Sequence, residues 1–242
     1  MCIASWKKQC PKYEIIEWNE DNFDISICPL YVRQAYKAQR WAFVSDYVRL
    51  KVVYDYGGIY LDTDVELKKR LDPYLEYSAY FGFEDGRAVA TGLGFGAECG
   101  NPVVKEMMDV YKDVPFLLDD GGYDMTPCPK RNTEVLLKHG LVQDDSWQII
   151  DGNVLILPSR YLCPFQYSPE WIGDNKLSED AVSIHWFSAS WKSATETDKL
   201  FLAMKQKWKK EKLDWLIHIP NRMLKAMLGD SAYDALKRWL KS

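Results

Sequence analysis

The sequence predicts an α/β layer fold, and three observations support this. Short runs rich in Ile, Val, Leu and Tyr alternate with longer amphipathic stretches, as strands alternate with helices. Glycine pairs such as Gly57-Gly58 separate these stretches. The chain has 242 residues, of which 47% are hydrophobic, and this is enough for one sizeable core or for one core with a small lobe.

The N-terminal part is expected to supply two helices and two strands. Residues 2–9 predict a short helix and residues 13–18 a strand. Small and apolar residues spaced through 32–56 predict one long helix. Gly57-Gly58 should end that helix, because glycine tolerates a positive φ, and a strand over 59–61 should follow directly.

Further strands and helices are predicted along the rest of the chain. Asn101-Pro102 begins a helix through Tyr111, and Asn132 or Thr133 begins one through His139. Pro and Gly make residues 112–132 loop-like. The expected strands lie at 79–83, 88–95, 154–157 and 182–186, and amphipathic helices are expected at 197–216 and 220–241. The predicted division is a catalytic domain over 1–195 and a helical basic tail over 196–242.

Charge and composition exclude some classes of function. The net charge of −4 argues against a nucleic-acid partner. Residues 193–242 carry 11 Lys/Arg against 6 Asp/Glu, so this tail either contacts an anionic membrane surface or packs on the domain. The six cysteines show no CxxC pair, and no signal peptide or 18-residue apolar run is evident. We therefore expect a cytoplasmic protein that can lie at the inner face of the plasma membrane.

The run Asp62-Thr63-Asp64 is the main candidate for chemistry. Its two carboxylates follow an apolar strand and offer the hard oxygen ligands that suit a divalent metal on a diphosphate. Asp46 and Arg49 lie three apart on the long helix and share a face. They form either a local surface pair or a site in which Arg49 binds phosphate through its planar guanidinium.

Two linked segments then make the chain recognisable. They are Ser45-Asp46-Tyr47-Val48-Arg49 and Tyr54-Asp55-Tyr56-Gly57-Gly58-Ile59-Tyr60-Leu61-Asp62-Thr63-Asp64-Val65. Together they resemble the DXD sugar-nucleotide glycosyltransferases of family 32, which include capsule, lipopolysaccharide and mannosyltransferase enzymes and share a core with the clostridial glucosylating toxins. The segment His185-Trp186-Phe187-Ser188-Ala189-Ser190-Trp191 is similar to the closing motif of the family.

The resemblance implies a GT-A type fold, a Rossmann-like mixed sheet flanked by helices. It also implies a retaining, metal-dependent hexosyltransferase that uses a UDP- or GDP-hexose donor and a glycan or lipid-linked acceptor, in capsular or surface polysaccharide synthesis. The implied cofactor is Mn²⁺ or Mg²⁺. The site residues carried over are Asp64, His185 and Asp62 for the metal, Asp62, Asp64 and Arg49 for catalysis, and Asp46, Arg49, Tyr60, Asp62, Ser190 and Trp191 for the substrate.

One departure from the family is expected to matter. Family members begin with a strand before the first helix, whereas this chain begins at Met1 inside the expected helix. The prediction is therefore a sheet without its first strand and a weaker hold on the nucleobase. A truncated start, a replacement by another segment and an inactive protein all remain open.

Two other functions compete with sugar transfer. A haloacid-dehalogenase phosphatase also uses Asp-x-Asp but needs Thr or Val two places later, where this chain has Glu66. The remaining alternative is a catalytically degenerate sugar-nucleotide or carbohydrate-binding protein. Glu84 and Asp85 follow a predicted strand and are either functional carboxylates or part of a turn.

Overall fold

Helices and short strands alternate along the part of the chain that the structure describes. The computed structural model describes residues 2–165 and 177–187. The helices are α1 (Cys2–Gln9), α2 (Leu30–Lys37), α3 (Trp41–Tyr56), α4 (Pro102–Asp109), α5 (Cys128–Lys138) and α6 (Ser159–Leu162). The strands are β1 (Gly58–Tyr60), β2 (Val65–Leu67), β3 (Ala79–Gly82), β4 (Phe95–Ala97), β5 (Gln148–Ile150), β6 (Val154–Leu157) and β7 (Ser183–His185). Single 3-10 turns lie at Ile25–Ile27, Asp72–Tyr74 and Thr91–Leu93.

Five of the strands form one mixed sheet in the order β1-β4-β3-β6-β5. β3 and β6 run parallel, while β1 with β4, β3 with β4 and β5 with β6 are antiparallel. β2 and β7 form a separate antiparallel pair. This mixed sheet flanked by helices confirms the predicted α/β class and is consistent with a GT-A-like fold.

Each face of the sheet is covered by its own apolar cluster. Phe81 and Ile156 point into a cluster made mainly with α2, α3, α4 and α5. Their neighbours Tyr80 and Leu155 point the other way, into a cluster that contains Trp6 of α1. This alternation is the two-residue period of strands. The burial of both faces holds β1 and the turn after it between two packed layers.

The long helix predicted over 32–56 is in fact two helices. The break comes at residues 38–40, where Gln39 has a φ of 56°. A left-handed residue cannot continue a right-handed helix, so α2 ends there and α3 starts at Trp41. The end of α3 follows the prediction, since Gly57 has a φ of 70° and its N–H donates to the carbonyl of Val53.

Two predicted strands were wrong. Residues 13–18 form no strand, and Trp18 instead packs against Phe23 and Tyr56. Residues 88–95 contain only an isolated bridge at Val89 and the 3-10 turn before β4 begins at Phe95. Apolar content alone therefore overpredicted strands here, because a strand also needs a neighbouring strand with which to form hydrogen bonds.

Other predicted elements agree with the structure. Asn101 caps α4 by accepting from the N–H groups of Val103 and Val104, and Pro102 occupies the first turn. α5 starts earlier than predicted, at Cys128. No helix within 2–165 or 177–187 is long and apolar enough to cross a membrane. The predicted tail over 196–242 lies outside the described residues.

Candidate active site

The two carboxylates of the Asp-x-Asp run lie on the turn between β1 and β2. The N–H of Val65 donates to the carbonyl of Asp62 at 2.9 Å, which closes the turn. β2 then pairs with β7 so that Val65 lies opposite His185. The N–H of Trp186 donates to the carbonyl of Asp64 at 3.1 Å. The register of this strand pair thus brings a histidine from far along the chain to the carboxylates.

Asp62, Asp64 and His185 form a compact cluster. The Nε2 atom of His185 lies 3.2 Å from Oδ1 of Asp64 and 3.9 Å from Oδ2 of Asp62. Burial disfavours charge on the ring, but hydrogen bonds and charge from the two carboxylates outweigh it and raise the pKa of His185 to about 9. Without a metal, an imidazolium therefore supplies positive charge between the carboxylates near neutral pH.

This donor set fits a divalent cation. One atom from each of the three half-buried side chains lies within 4.8 Å of the others. Two carboxylates and an imidazole suit Mn²⁺, and carboxylates also suit Mg²⁺. The Nδ1 atom of His185 is buried and has no hydrogen-bond partner among the described residues. The second hydrogen bond that usually orients a metal-binding histidine is thus absent from this part of the chain.

Arg49 adjoins the cluster from α3 and shares Asp62 with it. Its Nη2 atom lies 3.4 Å from Oδ1 of Asp62 and 3.3 Å from Oδ1 of Asp46. The hydroxyl of Tyr60 also donates to Oδ1 of Asp62, at 2.8 Å. One oxygen of Asp62 therefore serves Arg49 and Tyr60, while the other faces His185. Arg49 does pair with Asp46, but the pair does not lie at the surface, because the Arg49 side chain is only 5% exposed.

The α3 backbone and the charges around it orient the guanidinium of Arg49. Its Nε and Nη2 atoms donate to the carbonyl and hydroxyl oxygens of Ser45, both at 3.0 Å. Burial opposes its charge, yet Asp62, Tyr60 and Asp46 hold the pKa of Arg49 well above its ordinary value. Burial dominates at Asp46 and raises the pKa of that carboxyl to about 6, although Arg49 acts in the opposite direction.

The predicted site did not include three residues that line the Arg49 side. The Sγ atom of Cys128, at the start of α5, lies 4.0 Å from Nη1 of Arg49 and 3.9 Å from Oγ1 of Thr91. A Cβ atom on Gly92 would lie 2.8 Å from that Nη1 and 2.9 Å from Oδ2 of Asp62. In the sequence, Gly92 interrupts the strand predicted over 88–95. A glycine inside a strand can mark the close approach of another group, and this was the signal that could have identified Gly92.

The structure thus brings together the predicted residues Asp46, Arg49, Tyr60, Asp62, Asp64 and His185. Ser190 and Trp191 lie outside the described residues. Glu84 is half-buried just beyond β3, and burial raises its pKa while His185 lowers it. Its backbone N–H also donates to the carbonyl of Ala88, so it does belong to a turn.

Comparison with known proteins finds similarity in the first third of the chain. Residues 1–81 match the family described as "glycosyltransferase sugar-binding region containing DXD motif". Over 77 residues the chain is 36% identical to inositol phosphoceramide mannosyltransferase 3 of Schizosaccharomyces pombe, a stretch that covers 29% of this chain and 20% of that protein. The chain thus spans about a fifth of the length of this curated relative. No solved structure matches significantly. Residues 1–81 are therefore similar to the sugar-binding region of the DXD glycosyltransferases.

Proposed function

We propose that the protein is a metal-dependent glycosyltransferase that moves a hexose from a UDP- or GDP-sugar to a glycan or lipid-linked acceptor. The observation that carries this proposal is the position of Asp62, which joins a buried arginine on one side to a metal-binding cluster on the other. Transfer from a sugar diphosphate is helped by both the arginine and a bound cation, because negative charge grows on the leaving phosphate as the sugar departs.

Asp64, His185 and Asp62 are the residues that would hold Mn²⁺ or Mg²⁺. A bound divalent ion would supply Lewis-acid stabilisation of the departing diphosphate. His185 must lose its proton to serve as a ligand, since only the neutral imidazole has a free lone pair. The two carboxylates favour the imidazolium without metal, and for the same electrostatic reason they favour a bound cation.

Arg49 and Asp46 are suited to the sugar end of the donor. In Arg49, Nη2 contacts Asp46, Asp62 and the hydroxyl of Ser45, whereas Nη1 contacts the weak acceptor Cys128. Nη1 therefore has more hydrogen-bonding capacity left than Nη2 for a sugar or phosphate oxygen. Asp46 has a raised pKa and can accept a hydrogen bond from a sugar hydroxyl.

The reaction breaks the bond from the anomeric carbon to the diphosphate oxygen and forms one to the acceptor oxygen. The acceptor proton passes to the leaving diphosphate, as the resemblance implies for a retaining transferase. The named substrate of the fungal relative is a sphingolipid, which supports a lipid-linked acceptor as one option. The setting in surface polysaccharide synthesis, the cytoplasmic location and the membrane contact of the tail stay predictions.

The test is hydrolysis and transfer with a panel of UDP- and GDP-hexoses, with Mn²⁺ and with EDTA. Asp64→Asn and His185→Ala should abolish metal-dependent turnover of the active donor. Asp113→Asn, at an exposed carboxylate away from the cluster, should leave it unchanged. NMR of the product anomer tests retention. Donor binding without turnover would favour the degenerate binding protein, and the absence of binding for every donor would exclude both functions.

A further inference from the structure

Three aromatic side chains lie beside the N-terminus of α3, and we call Tyr36, Trp41 and Tyr123 the aromatic shelf; Trp41 and Tyr123 are exposed and Tyr36 is half-buried. Tyr36 meets Trp41 edge to face, with ring centroids 5.3 Å apart. The guanidinium of Arg40, the residue before Trp41, lies 5.3 Å from the centroid of Tyr123. Trp41 is 52% exposed and Tyr123 is 37% exposed. Arg40 thus links the Tyr36–Trp41 pair to Tyr123. Exposed Trp and Tyr side chains grouped with polar ones are common at binding surfaces.

The aromatic shelf is held in place by the elements beneath it. The side-chain oxygen of Gln34 on α2 accepts from the N–H groups of Phe116 and Leu117 at 2.8 and 3.0 Å. Phe116 is fully buried and stacks on Tyr123 with centroids 5.1 Å apart. The loop that carries Tyr123 is therefore tied to α2 and to the core. A ligand would meet a formed surface and would not have to order it.

The aromatic shelf leads directly to the sugar end of the candidate site. Trp41 precedes Arg49 by two helical turns, about 12 Å along α3. Ser45 lies midway, and its hydroxyl accepts from Nη2 of Arg49. On the other side of the shelf, Tyr123 precedes Cys128 by five residues, and the Cys128 sulfur lies 4.0 Å from Nη1 of Arg49. Trp41 is thus joined to Arg49 along α3, and the chain that follows Tyr123 reaches Arg49 at Cys128.

We propose that the aromatic shelf is the acceptor subsite, where a pyranose ring of the acceptor stacks on Trp41 with its hydroxyl groups near Arg40 and Gln34. The inference rests on the proposed function, because Arg49 and Asp46 define the hexose end of the donor. A pyranose has an apolar C–H face and a polar rim, and the shelf pairs an exposed indole with polar neighbours in the same way. A lipid chain would gain nothing from those polar neighbours.

The experiment uses the full chain with Mn²⁺, the active nucleotide-hexose and a panel of methyl and dodecyl hexosides. Trp41→Ala should raise the KM for the methyl hexoside about tenfold, the equivalent of about 1.4 kcal/mol, while the donor KM stays within about twofold. Trp41→Phe should recover most of the loss. The control is Trp147→Ala, because Trp147 is 42% exposed and lies next to β5 at the far edge of the sheet.

Saturation-transfer NMR provides a readout that does not need turnover. Methyl hexosides should receive saturation from the wild-type protein and from the Trp147→Ala variant, and much less from Trp41→Ala. Equal saturation in all three proteins, or none in any, would overturn the proposal. A KM change confined to dodecyl hexosides would also overturn it, because the occupant would then be the alkyl chain. If no donor is turned over, the proposed function fails and the acceptor role fails with it, whereas the NMR comparison still decides separately whether the aromatic shelf binds a pyranose.

Discussion

Metal binding at the cluster of Asp62, Asp64 and His185 should depend steeply on pH. In the metal-free protein the carboxylates raise the pKa of His185 from 6.5 to about 9. At pH 7 about one ring in a hundred is then neutral, and deprotonation to admit a metal costs about 2.7 kcal/mol. Mn²⁺ affinity should therefore rise about tenfold per pH unit between pH 6.5 and 8.5 and level off above pH 9.

The same shift makes the metal-free fold sensitive to alkali. A raised pKa means that the imidazolium stabilises the folded state in full below pH 6.5, and that this contribution disappears as the pH rises through about 9. The shift corresponds to about 3 kcal/mol at most for a side chain that is 12% exposed. Urea unfolding with EDTA at pH 6 and pH 9.5 should show a loss of this order, and the His185→Gln variant should lack it.

Calorimetry provides the decisive measurement for the metal. Titration of Mn²⁺ in two buffers of different ionisation enthalpy should reveal about one proton released per ion at pH 7. His185→Ala should bind Mn²⁺ more weakly and release no proton. A wild-type affinity that does not change between pH 6.5 and 8.5 would refute the reasoning, since it would mean that His185 keeps its proton and only the carboxylates bind the ion.

Three further predictions concern the scaffold, and urea unfolding measures all of them. Trp6→Phe should lower the free energy of unfolding by about 1–2 kcal/mol, because it removes the indole N–H that donates to the carbonyl of Val65 at 2.7 Å, beside the Asp-x-Asp turn. A loss as large as the one expected for Trp6→Ala, about 3–5 kcal/mol, would contradict this reason. Asn101→Ala should lower the free energy of unfolding by about 1–2 kcal/mol, because it removes the cap of α4 and the hydrogen bond that the amide donates to the carbonyl of Ser78 at 3.0 Å. Asn101→Asp should restore only the cap, because a carboxylate cannot donate to that carbonyl. Gly96→Ala should lower the free energy of unfolding by about 1–3 kcal/mol, because the new Cβ would lie 2.5 Å from Cε1 of Tyr80. An unchanged urea midpoint would show that the Tyr80 ring moves aside without loss of stability.

Local features of the fold could be predicted where a residue acts on its own neighbourhood. Gly57 ends α3 through its positive φ, and Asn101-Pro102 starts α4, as their residue types predict. Residues 13–18 resembled a strand but lack a partner strand, and the long helix broke at Gln39. Propensity describes a short window of chain, whereas a ladder depends on a distant segment that the window does not contain.

The candidate site divides in the same way. The sequence alone determined that Asp46 and Arg49 share a face of α3 and that Asp62 and Asp64 follow the strand after it, because these spacings are set by helix and strand geometry. Only the tertiary structure decided the rest. The pairing of β2 with β7 brings His185 to the carboxylates. Packing of the turn at Gly92 leaves no room for a side chain beside Arg49. These contacts join segments tens of residues apart, so they arise from the packing of the two layers on the sheet and not from any local pattern.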